Sequence, residues 1–279
     1  MLIKDALNSA ISALTASQVG SPRLNAETLL MFTLGRDRAY LFAHPEHELT
    51  SQEKINYQEA IAQRAMGIPT QYITGHQEFW GMDLIVSPAV LIPRPETEHV
   101  IEAALTLSPG AGSRIVDVGT GSGCMALALA KELPHAEIYA TDISPAAIEI
   151  ARANAARHGL APRIHFHQTD LLRGFDPAAF DVVVSNPPYV GESEEDHVQL
   201  EVRKYEPRNA VFAGPTGLEV IERLIPQAHA ILKPGGFLIM EMSATIAEYV
   251  KRLLADWSDV RVVNDLQGIP RVAVAVKAR

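Results

Sequence analysis

The chain is short of cysteine, of basic charge and of long apolar runs, and each shortage excludes something. Cys124 is the single cysteine in 279 residues, so no intramolecular disulfide can form and a cytoplasmic location is expected. Lysine and arginine number 24 against 33 acids, a net charge of −9. Non-specific nucleic-acid binding draws on a basic surface, so direct nucleic-acid binding is not expected. No apolar run reaches the roughly 20 residues that span a bilayer. The N-terminal MLIKDALNSAISALTASQ carries polar residues throughout, so neither a membrane segment nor a secretory leader is expected. What remains is an ordinary soluble composition, 47% hydrophobic and 20% charged, with length for a large core in one domain or two.

The pattern along the chain changes twice. Residues 1–74 read as a helical domain: Leu7, Ile11 and Leu14 recur at helical spacing, SPRLNAETLLMFTLG runs from Ser-Pro to Gly35, and Ser51 to Gly67 bound a further helix with Ser51 as its N-cap. Residues 75–98 read as a linker, a short hairpin around Gly81 followed by Pro88, Pro93 and Pro95. Residues 99–279 alternate strand and helix, with strands at RIVDVG, EIYATDI, RIHFHQTD, DVVVSNPPY, FLIMEM, VRVVN and RVAVAVKA. Their apolar runs do not alternate with polar residues, which implies strands covered on both faces and a mostly parallel sheet in an α/β fold. The acidic run GESEED (191–196) is expected to be a mobile loop.

Asp117-Val118-Gly119-Thr120-Gly121-Ser122-Gly123 stands where the first strand turns into its helix. Glycines there permit positive φ and close approach of backbone to a ligand. The dinucleotide fingerprint G-x-G-x-x-G would put a glycine at 124, where this chain has Cys124, so a nicotinamide-dependent dehydrogenase is disfavoured. Asp117 would repel a pyrophosphate and suits a cationic ligand, while Asp142, ending the second strand, suits ribose hydroxyls. The plain alternative is a tight strand-to-helix turn that binds nothing.

Val182-Val183-Val184-Ser185-Asn186-Pro187-Pro188-Tyr189 ends the fourth strand at the same sheet edge. The two prolines remove two donors and leave carbonyls exposed. Asn186 adds a side-chain carbonyl, and Tyr189 a flat ring. Two acceptors beside an aromatic face suit a planar NH₂ group, whose delocalised lone pair makes it a poor nucleophile until both N–H bonds are held. Asn186 and the Pro187 carbonyl are thus the candidate acceptors and Tyr189 the wall. The same turn with no ligand would be only a rigid strand end.

DVGTGSG with an acid at the end of strand two resembles the cofactor region of S-adenosylmethionine-dependent methyltransferases with a seven-stranded, Rossmann-like class I sheet. Asn-Pro-Pro-Tyr is shared by relatives that methylate adenine N6 and by relatives that methylate protein glutamine. EFWGMDLIVSPAVLIPRPETE (78–98), SPRLNAETLL and YEPRNAVFAGPTGL (205–218) together resemble the bacterial peptide-chain release-factor glutamine N5-methyltransferases, the PrmC/HemK family. The resemblance spans essentially the whole chain. It implies methylation of the glutamine in the Gly-Gly-Gln loop of release factors, with the helical domain helping to dock that protein and S-adenosylhomocysteine as product. It also implies that Asp117, Gly119, Thr120, Gly121, Ser122 and Gly123 line the cofactor, with Asp142 on its ribose, Asp170 and Leu171 by its adenine, and Asn186 touching it as well as the substrate. Asn186, Pro187, Pro188 and Tyr189 would hold the glutamine, and Arg94 and Glu98 would touch ligand or protein substrate unless they form a linker ion pair. Where the family often has Glu-Ile-Gly, this chain reads Glu241-Met242-Ser243, which puts contacts at that strand end in question. Two rivals are an N6-adenine methyltransferase and a non-catalytic cofactor-binding interaction protein.

Other features carry less. His165 and His167 share a strand face but lack further ligands, so strand packing is expected and no metal site. His44 and His47 flank Pro45 in a loop. Cys124 is expected to pack on the inner face of its helix rather than act as a nucleophile.

Overall fold

The computed structural model describes residues 1–107 and 110–278. Along the chain come helices α1 (Ile3–Ala16), α2 (Pro22–Leu34), α3 (Arg38–Ala43), α4 (Ser51–Ala65) and α5 (Thr70–Thr74), then strands β1 (His76–Phe79) and β2 (Met82–Ile85). They are followed by α6 (Glu98–Thr106), β3 (Arg114–Val118), α7 (Cys124–Glu132), β4 (Glu137–Asp142), α8 (Pro145–Arg157), β5 (Ile164–Gln168), β6 (Phe180–Ser185) and β7 (Val190–Gly191). The rest comprises α9 (Leu200–Tyr205), α10 (Arg208–Val211), β8 (Phe212–Gly214), α11 (Glu219–Ile231), β9 (Leu232–Glu241), α12 (Ala247–Leu253), β10 (Ser258–Asn264) and β11 (Pro270–Val276). Two compact units result, Met1–His76 with Gln199–Tyr205, and Gln77–Val198 with Glu206–Arg279.

The first unit is helical. The buried stripe of α1 is Ile3, Ala6, Ala10 and Leu14, with Leu7 and Ile11 half-buried beside it, so the stripe includes small residues that the leucine spacing alone does not reveal. It packs on Leu29 and Leu30 of α2 and on Tyr57 and Ile61 of α4. Each such side chain taken from water contributes about 1.5–3 kcal/mol. Tyr57 keeps its hydroxyl satisfied by donating to the Ala26 carbonyl at 3.0 Å. Thr50, not Ser51, caps α4: its hydroxyl accepts from Glu53 N–H, and the Glu53 carboxylate accepts from Thr50 N–H. The segment Gln199–Tyr205, far along the chain, belongs to this unit through an Arg64–Glu201 ion pair at 2.8 Å and a Tyr205 hydroxyl bond to the Met66 carbonyl at 2.7 Å. Nothing in its sequence marks that excursion.

The second unit holds a seven-stranded sheet in the order β10-β11-β9-β6-β3-β4-β5. The five strands from β9 to β5 run parallel, and β11 is antiparallel to both β9 and β10. Successive residues of one strand serve opposite faces: Val182 and Val184 of β6 join the core under α6 and α7, while Val183 joins the core under α11 and α12. That explains the uninterrupted apolar runs. The hairpin expected as part of a linker belongs to this unit, and its turn puts Trp80 at φ 53° and Gly81 at φ 66°, the doubly positive turn whose twist matches the strands. The GESEED run is also ordered: Glu192–His197 forms a 3-10 turn, Gly191 N–H donates to Glu194, and Glu195 receives two bonds from Arg208. Glu194 and Glu195 are held by local partners, which a charge count does not reveal. Among the described residues no helix is long and apolar enough to cross a membrane.

Candidate active site

β3 pairs with β4 on one side and β6 on the other, so chain connections leave it in opposite directions, the place where ligands settle in open parallel sheets. Val118 is level with Ser185, and the Ser185 hydroxyl donates to the Val118 carbonyl at 2.8 Å. The next residues, Gly119 and Asn186, therefore leave the sheet side by side. A cavity of about 310 Å³ opens there, lined among others by Gly119, Gly121, Asp142, Asp170, Asn186 and Arg94. Thr120, Ser122, Leu171 and Pro188 also line it.

The glycines do different work. At Gly119 and Gly121, with φ of 72° and 54°, an added Cβ would meet nothing within 4 Å, so the backbone is bare toward open space. At Gly123, φ 84°, a Cβ would lie 2.7 Å from the Leu127 side chain and 3.1 Å from Ala151 Cβ, so this glycine serves helix packing. The loop is held from below. Gly119 N–H and Thr120 N–H both donate to the Thr141 carbonyl, at 2.9 and 2.8 Å. Asp117 is fully buried and does not line the cavity, contrary to its expected position facing a cationic ligand. Its Oδ2 accepts from the Thr120 hydroxyl at 2.6 Å and from Ala126 N–H at 3.1 Å, which ties the loop to α7. Burial pushes its carboxyl up to about 7, against those two hydrogen bonds.

Asp142 accepts from Gly121 N–H and Ser144 N–H, both at 2.9 Å, one on each oxygen. Burial raises its carboxyl, and each oxygen keeps a lone pair for a further donor. Asp170 is ion-paired with Arg223, and both line the cavity. Cys124 also lines it, at the start of α7, and burial pushes its thiol up to about 12, so it is no nucleophile.

At the Asn-Pro-Pro-Tyr turn, Asn186 Nδ2 donates to Thr97 Oγ1 at 2.9 Å. Thr97 Oγ1 donates to Glu241 Oε2 at 2.6 Å, and the Tyr189 hydroxyl donates to Glu241 Oε1 at 3.1 Å. Asn186 Oδ1 accepts no hydrogen bond among the described residues and is the amide's open acceptor. Pro187 is buried and Tyr189 half-buried; neither they nor Glu98 line the cavity. Burial first, then the Glu241 carboxylate, raise the Tyr189 phenol above its ordinary range. The linker ion pair weighed for Arg94 and Glu98 does not form. Arg94 pairs with the buried Glu206, which also accepts from Ile92 N–H at 3.1 Å, while Glu98 accepts from Trp80 N–H at 2.9 Å. His165 and His167 stack against Tyr139, with ring centroids 4.8 and 5.9 Å away.

Thr97, Glu206, Arg223 and Glu241 were missed as site residues. Glu241 carries two signals, the acid that ends the apolar LIME and its place in the Glu241-Met242-Ser243 segment compared with the family above.

The PrmC N-terminal domain family matches residues 5–75, and the small methyltransferase domain family matches residues 101–203. A release factor glutamine methyltransferase of Koribacter versatilis (strain Ellin345) is 55% identical to this chain, with 99% of each chain covered. The chain belongs to the release factor glutamine methyltransferase family. A second member, from Moorella thermoacetica (strain ATCC 39073 / JCM 9320), is 42% identical, again over 99% of each chain. The resemblance drawn from the sequence is thereby established along the full length. Solved structures share the fold: a ribosomal protein L11 methylase from Lactobacillus delbrueckii subsp. bulgaricus has a TM-score of 0.51 at 22% identity, covering 70% of this chain and 84% of that one. The hMettl16 catalytic domain in complex with a MAT2A 3′UTR hairpin has a TM-score of 0.59 at 16% identity, covering 86% of this chain and 87% of that one. Both show that the α/β fold of this chain is shared.

Proposed function

We propose that the chain transfers the methyl group of S-adenosylmethionine to the side-chain amide nitrogen of the glutamine in the Gly-Gly-Gln loop of peptide chain release factors. The observation that carries this reading is the open acceptor of Asn186 next to the bare glycine backbone, in a chain of this family. The residues fit the cofactor. Gly119 and Gly121 leave room for close approach, and Asp142 has lone pairs to spare for ribose hydroxyls. Asp170 and Leu171 supply a wall for the adenine.

When bound, the cofactor supplies a methyl group on a positively charged sulfur. Asn186 Oδ1 and the Pro187 carbonyl take the two N–H bonds of the glutamine amide and fix its nitrogen for in-line attack. As the N–CH₃ bond forms and the S–CH₃ bond breaks, the same two oxygens would stabilise the positive charge growing on nitrogen, and its proton would become acidic enough to pass to water without a strong base. Tyr189, outside the cavity lining and held by Glu241, would stand behind the amide as a supporting wall. Arg94, held by Glu206, is the group at the cavity wall suited to the release-factor backbone.

The test is label transfer from methyl-labelled S-adenosylmethionine to a release factor, to its loop Gln→Ala variant and to duplex DNA. Label is expected on the intact factor alone. Asn186→Ala should lower turnover about 100-fold while leaving cofactor affinity unchanged. Label on DNA, or equal label on the loop variant, overturns the reading.

A further inference from the structure

An asparagine amide can be turned over at almost no steric cost, because its oxygen and nitrogen are nearly the same size. Turned one way, Asn186 presents an acceptor to a substrate NH₂; turned the other way, it presents two donors and repels it. Something must fix the choice, and the side chain alone does not.

We propose that Thr97 and Glu241 are positioning residues that fix which face of the Asn186 amide meets the substrate; the inference rests on the reading of Asn186 as the acceptor of the glutamine amide. A threonine hydroxyl has one proton. Here it is directed at Glu241 Oε2, 2.6 Å away, so toward Asn186 the hydroxyl can only accept. The Asn186 group 2.9 Å from it must therefore be Nδ2, and Oδ1 is left for the ligand. Burial raises the Glu241 carboxyl, but the Thr97 and Tyr189 hydroxyls aimed at its two oxygens favour the carboxylate, which donates nothing. Its other oxygen takes the Tyr189 hydroxyl, so both oxygens are engaged by donors and neither donor can reverse. Thr97 and Glu241 are each only 2% exposed, so water does not compete for the chain of bonds. The elements that carry it are rigid: Thr97 closes a 3-10 turn that leads into α6, and Glu241 is the last residue of β9, beside β6. The arrangement acts through Asn186 and touches no reacting atom.

The experiment measures methylation of a release factor by wild type, Thr97→Val, Thr97→Ser, Glu241→Gln and Glu241→Leu, together with cofactor Kd and melting temperature. Thr97→Val keeps the shape and removes the hydroxyl. Its kcat should fall about 10- to 100-fold, the scale of losing an orienting partner or misplacing a reacting group. KM for the factor and cofactor Kd should stay within about threefold, because the amide's place is kept while its orientation is lost. Thr97→Ser should restore most of the turnover. In Glu241→Gln the amide can keep its oxygen toward Thr97 and turn its N–H to the Tyr189 hydroxyl, which then accepts, so most of the turnover should survive. Glu241→Leu removes both acceptors and frees the Thr97 proton to face Asn186, so its kcat should fall about 10-fold. Folded, cofactor-binding Thr97→Val with kcat within about twofold of wild type overturns the proposal. Should that variant melt below the assay temperature, the same twofold criterion applied to Glu241→Leu decides. An inactive wild type would sink the functional reading instead, so the two failures are distinguishable.

Discussion

Asn154, in the last turn of α8, is fully buried and uses its whole amide on the backbone of other segments. Its Oδ1 accepts from Ile85 N–H at 2.7 Å, and its Nδ2 donates to the Ile85 carbonyl and to the Ser122 carbonyl, each at 2.9 Å. One side chain thus ties the hairpin strand β2 and the glycine loop to α8. Asn154→Ala would leave one N–H and two carbonyls without partners. A buried polar group so stranded costs about 1–3 kcal/mol. Ile85 is half-buried and regains part of its loss from water, whereas Ser122 is buried, so the sum should come to about 3–5 kcal/mol. For a unit of this size that is a fall in melting temperature of about 8–15 °C. Urea unfolding and calorimetry read both quantities. Asn154→Asp sharpens the test. It preserves shape but sets a carboxylate oxygen against two carbonyls, so it should destabilise at least as much as alanine. A loss below about 1 kcal/mol for Asn154→Ala, or an Asp variant as stable as wild type, would refute the reasoning.

Two further predictions concern the same loop. Asp117, buried and pushed up to about 7, binds its proton more tightly in the folded than in the unfolded chain, so its contribution to stability is full in acid and is lost as pH rises from about 4 through about 7. That loss amounts to at most about 4 kcal/mol, and Asp117→Asn should abolish it; a stability difference between variant and wild type that is constant from about pH 5 to about pH 8 would contradict this. Gly123→Ala combines a positive φ with a Cβ 2.7 Å from Leu127, and should cost about 2–4 kcal/mol, whereas Gly121→Ala, with open space, should cost about 1 kcal/mol of backbone strain. Denaturant midpoints for the pair check the order, and equal losses would show that packing is not what Gly123 serves.

Much of the fold was legible because it rests on local signals. Apolar runs that end in glycine, aspartate or Asn-Pro mark β3, β4 and β6, the strands that carry the site, and the Pro and Gly punctuation marks several helices. What stayed hidden is nonlocal. Thr97 meets Glu241 across 144 residues, and Ile92 meets Glu206 across 114, so neither pair leaves a trace in any short window. Asp117 was read as a ligand-facing acid because it precedes a ligand loop. The pleat turns its side chain under the loop instead, where a carboxylate can hold Thr120 and the start of α7.

The parallel sheet nevertheless makes part of the site predictable once its register is known. Val118 of β3 is level with Ser185 of β6, and Ser185 is level with Met240 of β9. One residue further along each strand lie Gly119, Asn186 and Glu241, in a row across the carboxyl ends of three neighbouring strands. A glycine that bares backbone, an amide that offers an acceptor and an acid that helps orient that amide thus fall in line because the three strands end together. Gly119 and Asn186 follow the last sheet positions of β3 and β6, where residues leave the core and line the cavity, while Glu241 is still paired with Val272 and stays buried behind them. Met242 and Ser243, where the sequence departs from the pattern expected of the family, lie just beyond this row, and Thr97 and Tyr189 engage Glu241 rather than either of them.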